Sequence, residues 1–244
     1  MTAAPTATGR VVSLVRYPVK SLGGEEVDRA RVEARGLEHD RLWATYTADG
    51  FIGSGKRTRR FRPVDGLLHW TATMSDGVPL VTAPDGRRWR ADDPAAAAAL
   101  GKACGQPLSL RTESDVRHHD DAAVHVLTTA SVRALAERVG APLDARRFRA
   151  NLLVDLDEDA GSSAGQTDTW PEDGWIGRTL TVGEVVLRLT APMPRCVMVN
   201  AAQPGLDEDA RVLRSLSDRA ARLGLMAEVV SPGLVRRGDR VVVG

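Results

Sequence analysis

Cysteine is nearly absent. Cys104 and Cys196 are the only two in 244 residues, too few for a disulfide framework and consistent with free thiols in a reducing compartment. They also cannot supply a cysteine set for an iron–sulfur cluster. No apolar run approaches the ~18 residues that span a bilayer. The opening MTAAPTATGR has no apolar core of a secretory signal and reads as a frayed tail. The expected location is cytoplasmic, away from membranes. Aromatics make up only 4%, so cores must be built from Val, Leu and Ala. Charge of one sign is missing as well: 33 Lys+Arg against 32 Asp+Glu leave +1. That balance excludes the basic profile of a dedicated nucleic-acid binder and the acidic profile of a disordered chain. No GxGxxG opens a helix, no GxxxxGK[ST] occurs, and Ser21, Ser54 and Ser131 have no GxSxG elbow, so dinucleotide, P-loop and α/β-hydrolase sites have no support.

What remains is ordinary globular composition, 43% apolar and 27% charged, in a length that suits one large domain or two small ones. A chain of this size buries roughly 70–75% of its unfolded surface without staples. Strands are expected at 10–17, 26–32 and 41–47, followed by an Asp49-Gly50 hairpin turn. More follow at 67–74, 78–81 and 87–90, separated by SDG and PDG turns. DDPAAAAALGKACG has an aspartate cap, Pro94 in the first turn and a closing glycine, the marks of a helix. A strand at 107–111 precedes the polar stretch 111–123, where a boundary is expected. Then come a strand at 124–127 and a helix capped by Thr128 or Thr129, with Val132, Leu135, Ala136 and Val139 on one face. LLVDL reads as a strand, and the acidic, Gly/Ser-rich 157–175 as a long loop. A hairpin at 178–191, a strand at 197–200, a helix at 207–223 and a terminal strand-turn-strand complete the pattern. The expected fold is mainly β, or α+β, with two β-rich, barrel-like halves and a few peripheral helices. Its division is a tail at 1–9, a first domain at 10–112 and a second at 113–244.

Several residues carry chemistry. Cys196 ends APMPRC, where two prolines constrain the loop and Arg195 favours the thiolate, the form that attacks or binds a soft metal. The competing reading is an inert cysteine packed as a small hydrophobe. Lys20-Ser21, Arg41, the run GKRTRRFR beginning at Gly55, and DARRFRAN lie on separate loops. Together they can converge on a phosphate; alternatively they are solvated surface, or a nucleic-acid patch. The pair His118-His119 would point to opposite faces of a strand, so it is expected to be solvated loop rather than a metal site. The run 155–159 opens like a calcium loop, but Ala160 and Gln166 stand where Gly and Glu are required.

Taken in order, these pieces resemble the MOSC-domain proteins, similar in layout to amidoxime-reducing components. The motifs are Tyr17-Pro18-Val19-Lys20-Ser21, Asp40-Arg41-Leu42-Trp43, Phe148-Arg149-Ala150-Asn151, Trp175-Ile176-Gly177, Pro194-Arg195-Cys196 and Pro232-Gly233 with Gly238-Asp239. They span most of 10–244, from an N-terminal MOSC-type β-barrel domain to the MOSC domain. The resemblance implies the molybdenum cofactor, molybdenum held by molybdopterin, with Cys196 as the metal ligand. It implies cofactor contacts from Lys20, Ser21, Arg41, Lys56, Arg149, Asn151, Pro194 and Arg195, and an acidic residue beside the metal near Asp121. It also brings pyridoxal phosphate binding as a property ascribed to the family. The implied activity is an oxidoreductase reducing small N-hydroxylated substrates. With no iron–sulfur domain after Gly244, electrons are expected from a separate flavin or iron–sulfur protein. A cofactor or sulfur carrier that uses Cys196 without turnover is the alternative. Met193, Ala150 and Met226 depart from the pattern seen in relatives and bear on the substrate pocket.

Overall fold

The computed structural model describes residues 7–157 and 170–244. The first six residues of the expected tail, most of the expected 157–175 loop and the rejected calcium loop beyond Asp157 lie outside them.

The first part of the chain runs β1 (Ala7–Arg16), β2 (Glu25–Glu26), β3 (Arg29–Glu33), β4 (Gly36–Leu37), β5 (Trp43–Thr47) and β6 (Ile52–Ser54). It continues with β7 (Phe61–Pro63), β8 (Thr71–Ser75), β9 (Val78–Thr82), β10 (Arg88–Arg90), α1 (Pro94–Ala103) and β11 (Leu108–Thr112). The remainder is β12 (Val124–Thr128), α2 (Thr129–Val139), β13 (Leu152–Leu156), β14 (Thr179–Val182), β15 (Val185–Pro194), α3 (Arg211–Arg214), β16 (Arg222–Ser231), β17 (Gly233–Arg236) and β18 (Arg240–Val243).

A closed seven-stranded barrel dominates, in the order β13-β12-β16-β15-β14-β18-β1, shut by pairing of β1 with β13. Its inward residues follow alternation on β15 (Leu187, Leu189) and β18 (Val241, Val243), while on β1 a register shift between Val11 and Ser13 brings both Val11 and Leu14 inside. Closure brings β1 very near β13. A Cβ at Gly9 would lie 2.2 Å from the Asp155 carbonyl oxygen, so only glycine fits there. β12 and β13 run parallel, which requires a crossover, and α2 provides it. The Thr128 hydroxyl accepts from Ser131 N at 3.1 Å, and Gly140, at φ 75°, ends the helix. Leu135 and Val139 bury the apolar face of α2 against Phe148, Val212 and Leu216. Full burial of Leu135 alone contributes roughly 1.5–3 kcal/mol.

Three smaller sheets complete the molecule: β11-β5-β6-β7, β10-β9-β8 and β17-β3-β4. Ala96 on α1 is fully buried, and Leu100 packs in a second core with Val19, Leu22, Trp70 and Val81. The expected boundary after residue 112 does not coincide with a sheet boundary. β1 belongs to the barrel and β3 pairs with β17, so the two ends of the chain interleave.

Some expected elements differ. Ala7–Gly9, read as tail, belong to β1. Leu67–His69 is a 3-10 turn ahead of β8 rather than part of a strand. Val197–Val199 is a 3-10 turn, not a strand. The long helix expected at 207–223 shrinks to α3 and a 3-10 turn at Ser217–Arg219. Only Val212 and Leu216 are buried before the chain enters β16, enough to anchor one turn, and Ala220 and Ala221 both adopt positive φ, which ends any helix.

Candidate active site

Lys20, Ser21, Arg41, Lys56, Asp121, Arg149, Asn151, Pro194, Arg195 and Cys196 all line one cavity. They reach it from the loop after β1, the turn before β5, the loop after β6, the stretch before β12, the turn before β13 and the end of β15. Three of them, Ser21, Arg41 and Arg149, sit in left-handed backbone at φ 68°, 51° and 53°. That conformation costs a non-glycine residue on the order of 1 kcal/mol or more, so the surrounding contacts must hold it.

Asp40 supplies much of that hold. Fully buried, it accepts from Tyr17 N at 2.8 Å, pairs with the Arg41 guanidinium, and lies 3.4 Å from His119 Nε2. Burial opposes its ionisation, but Arg41 and His119 outweigh burial and keep the carboxyl far below its usual range. Arg41 N in turn donates to Tyr17 O at 2.7 Å.

Lys20, 3% exposed, pairs with Asp120, and Lys56 Nζ lies 3.0 Å from the other oxygen of the same carboxylate. Burial lowers Lys20 to about 8, with Asp120 opposing the shift. Burial disfavours the charged Asp120, yet Lys20 and Lys56 hold it below the ordinary carboxylate range. The Phe61 ring backs both lysines, 4.3 Å from Lys20 Nζ and 5.5 Å from Lys56 Nζ. Arg60 anchors the segment from outside by donating to the carbonyls of Arg117 at 2.9 Å and Asp120 at 2.7 Å.

The sequence pointed to Asp121. It lines the cavity but makes no hydrogen bond or ion pair among the described residues; its neighbour Asp120 clamps the lysines. The histidine pair is corrected. His118 is fully buried and His119 is 7% exposed, instead of solvated. His118 bonds Tyr46 Oη at 2.9 Å and the Arg41 carbonyl at 3.1 Å, and its backbone N–H donates to Glu113 at 2.8 Å. Burial lowers it to about 4, so it stays neutral. No group of three or more His, Cys, Asp or Glu is arranged to hold a metal among the described residues.

On the far wall, Arg195 donates Nε to Leu223 O at 2.9 Å and Nη1 to Phe148 O at 2.8 Å, and pairs with His125 Nε2. Burial lowers this guanidinium to about 9. Burial and then Arg195 push His125 well below its usual value, so it is a neutral acceptor. Asn151 accepts from His125 N at 3.1 Å and donates to Val15 O at 3.2 Å, tying β1 to β12. Arg149 Nη1 donates to Leu22 O at 2.7 Å, while its Nη2 is buried without a partner. Cys196 is a half-buried free thiol.

His125 was not singled out in the sequence, and Asp120 only within the run His118-His119-Asp120-Asp121, read as solvated loop. The alternation of Val124, His125 and Val126 was the available sign that His125 faces away from the barrel core. Asp120 had no sign beyond its place beside Asp121.

Residues 113–242 match the MOSC domain, and residues 8–130 match the MOSC N-terminal beta barrel domain. The chain is 25% identical to mitochondrial amidoxime reducing component 2 of Bos taurus, over 78% of this chain and 66% of that protein, just under two thirds of its length. Among solved structures, the YUAD protein of Bacillus subtilis shares the fold at TM-score 0.50 and 12% identity, with 97% of this chain and 95% of that one covered. The cavity residues, the closed barrel and these matches lead to one assignment: the chain belongs to the MOSC domain family, with the N-terminal MOSC barrel ahead of it.

Proposed function

We propose that the cavity binds the molybdenum cofactor and that the chain is an oxidoreductase reducing small N-hydroxylated compounds with electrons from a separate flavin or iron–sulfur protein. The name of the bovine relative, an amidoxime reducing component, supports N–O reduction.

The observation that carries the reading is Arg149. A buried guanidinium donor without an acceptor costs about 1–3 kcal/mol, and an anionic ligand in the cavity removes that cost. Lys20, Lys56 and Arg41 add positive charge to the same lining, and Cys196 adds the thiol. A dianionic phosphate with a soft metal fits this donor set.

Lys20, Ser21, Arg41, Lys56 and Arg149 would hold the pterin and its phosphate. Cys196 would ligate the metal. Arg195, Asn151 and Pro194 keep the wall in place, since the polar groups of Arg195 and Asn151 are already committed to backbone and to His125. When bound, the cofactor supplies the two-electron exchange. Replacing N–O by N–H with loss of water requires protons at the site. In this reading Asp121, which lines the cavity with no ion pair or hydrogen bond among the described residues, would carry them.

The test is molybdenum and pterin content in protein from a host that makes the cofactor, with Cys196→Ala alongside. Near-stoichiometric metal in the wild type and none in the variant supports the reading. Metal in neither, after cofactor synthesis in that host is confirmed, overturns it and turns attention to a persulfide on Cys196 in a sulfur carrier.

A further inference from the structure

A second groove opens beside the cavity and shares Ser21 and Met198 with it. The sill between them is a close contact: a Cβ at Gly55 would lie 2.7 Å from Met198 Cγ, so Met198 rests directly on the Gly55 backbone. The groove begins at Val197, the residue after Cys196. At 59%, Val197 is the most exposed large apolar residue among the described ones, and Val199 two positions on is buried at 4%. Alone it would be unremarkable, but it stands in the lining of a groove beside Leu68 and Met198, so an apolar group bound there would cover it. Leu67 and Leu68 form the facing wall.

Charge divides the two spaces. The cavity lining contains six cationic side chains, Lys20, Arg41, Lys56, Arg147, Arg149 and Arg195, against two carboxylates, Asp120 and Asp121. No lysine or arginine lines the groove, whose charged residues are Asp65 and Glu208. Neither carboxylate is in an ion pair or hydrogen bond among the described residues.

We propose that this groove is the substrate site and selects organic cations, an apolar ring or chain against Val197 and Leu68 with a positive group beside Asp65 and Glu208. The inference rests on the reading that the reacting end lies at Cys196. An anionic substrate is repelled by the groove and drawn to the cavity, where it competes with the phosphate. A cationic one is held in the groove and kept out of the cavity by the same charges.

The test uses three ligands of equal size that undergo no N–O reduction: benzylammonium, benzyl alcohol and benzoate. Binding is measured by calorimetry at low salt on the full chain, from a cofactor-making host and from one without the cofactor. The wild type is expected to bind benzylammonium about fivefold tighter than the alcohol, and benzoate weakest. Asp65→Asn with Glu208→Gln brings benzylammonium to the level of the alcohol. Asp65→Lys with Glu208→Lys inverts the order, so that benzoate binds best. Val197→Trp, which fills the groove, weakens all three. Failure of the wild type to bind benzylammonium, equal binding of the charged ligands, or an unchanged order in the double reversal overturns the proposal. These ligands need no metal. A chain from the cofactor-making host that carries no molybdenum yet shows the preference sinks the cofactor reading and leaves the groove standing; a chain that carries molybdenum and shows no preference does the opposite.

Discussion

The ring of Tyr17 lies 4.2 Å from the guanidinium carbon of Arg149, and Arg41 approaches the same ring at 4.8 Å. One aromatic residue thus serves two like charges that would otherwise repel across the cavity lining. Its phenol contributes little, since Tyr17 Oη is 3.5 Å from Ala150 O. Burial raises the phenol's pKa, with Arg149 opposing the shift, so the ring stays neutral. Tyr17→Phe is therefore expected to bind inorganic pyrophosphate within about twofold of the wild type. Tyr17→Leu loses two cation–π contacts and should bind it roughly tenfold more weakly. Calorimetry on both variants, with melting curves to show both are folded, separates the ring's role from general packing. Equal loss in both would refute it.

Lys20 gives the site a pH dependence. In the folded chain it loses its proton near pH 8, whereas an unfolded lysine keeps it to about 10.5. Between those values the unfolded state binds more protons, so this residue makes stability rise with pH over that window, by up to roughly 3 kcal/mol. Anion binding follows the opposite course and weakens as pH climbs through 8, because the cation is lost. Lys20→Met is expected to flatten both profiles; denaturant titrations and pyrophosphate binding across pH 7–10 would reveal it.

Among the described residues, Asp40 is the carboxylate that pairs with both Arg41 and His119. Asp40→Asn strips the charge of a fully buried carboxylate from its pair with the mostly buried Arg41 and should cost about 3–5 kcal/mol, visible in urea unfolding. The same change should also weaken pyrophosphate binding, since Arg41 is no longer fixed in its left-handed turn. A stable variant with intact binding would contradict this.

Gly9 tests barrel closure without touching the site. Gly9→Ala forces β1 and β13 apart and is expected to cost about 1–3 kcal/mol, lowering Tm by roughly 2–10 °C. Gly174→Ala, with open space around its Cβ, serves as the control and should melt within about a degree of the wild type.

Much of this was legible in the sequence for local reasons. Asp93 and Thr128 do cap α1 and α2, because cap, first turn and apolar spacing agree within a dozen residues. The ten candidate residues do line one cavity. What was not legible is non-local. Nothing in VVSLVR says that β1 pairs with both β13 and β18, and nothing near Arg29 points to β17. His118 looked solvated because its partners Tyr46 and Arg41 lie 72 and 77 residues away in the chain. The helix expected at 207–223 failed because alternating charge can stabilise a helix surface, yet nothing there supplies a long apolar stripe to bury.

Closure of the barrel by its first strand also sets an order of events during synthesis. β1 emerges from the ribosome first, but its partners β13 and β18 follow it by more than half the chain and by nearly all of it. Until then only its end at Val15 and Arg16 has a partner, the short β2, and the ring of strands cannot be completed locally. Arg195 and Cys196 join Lys20 and Arg41 only when that ring is whole. The cavity these residues line is therefore completed late, once the strands that close the barrel have been made.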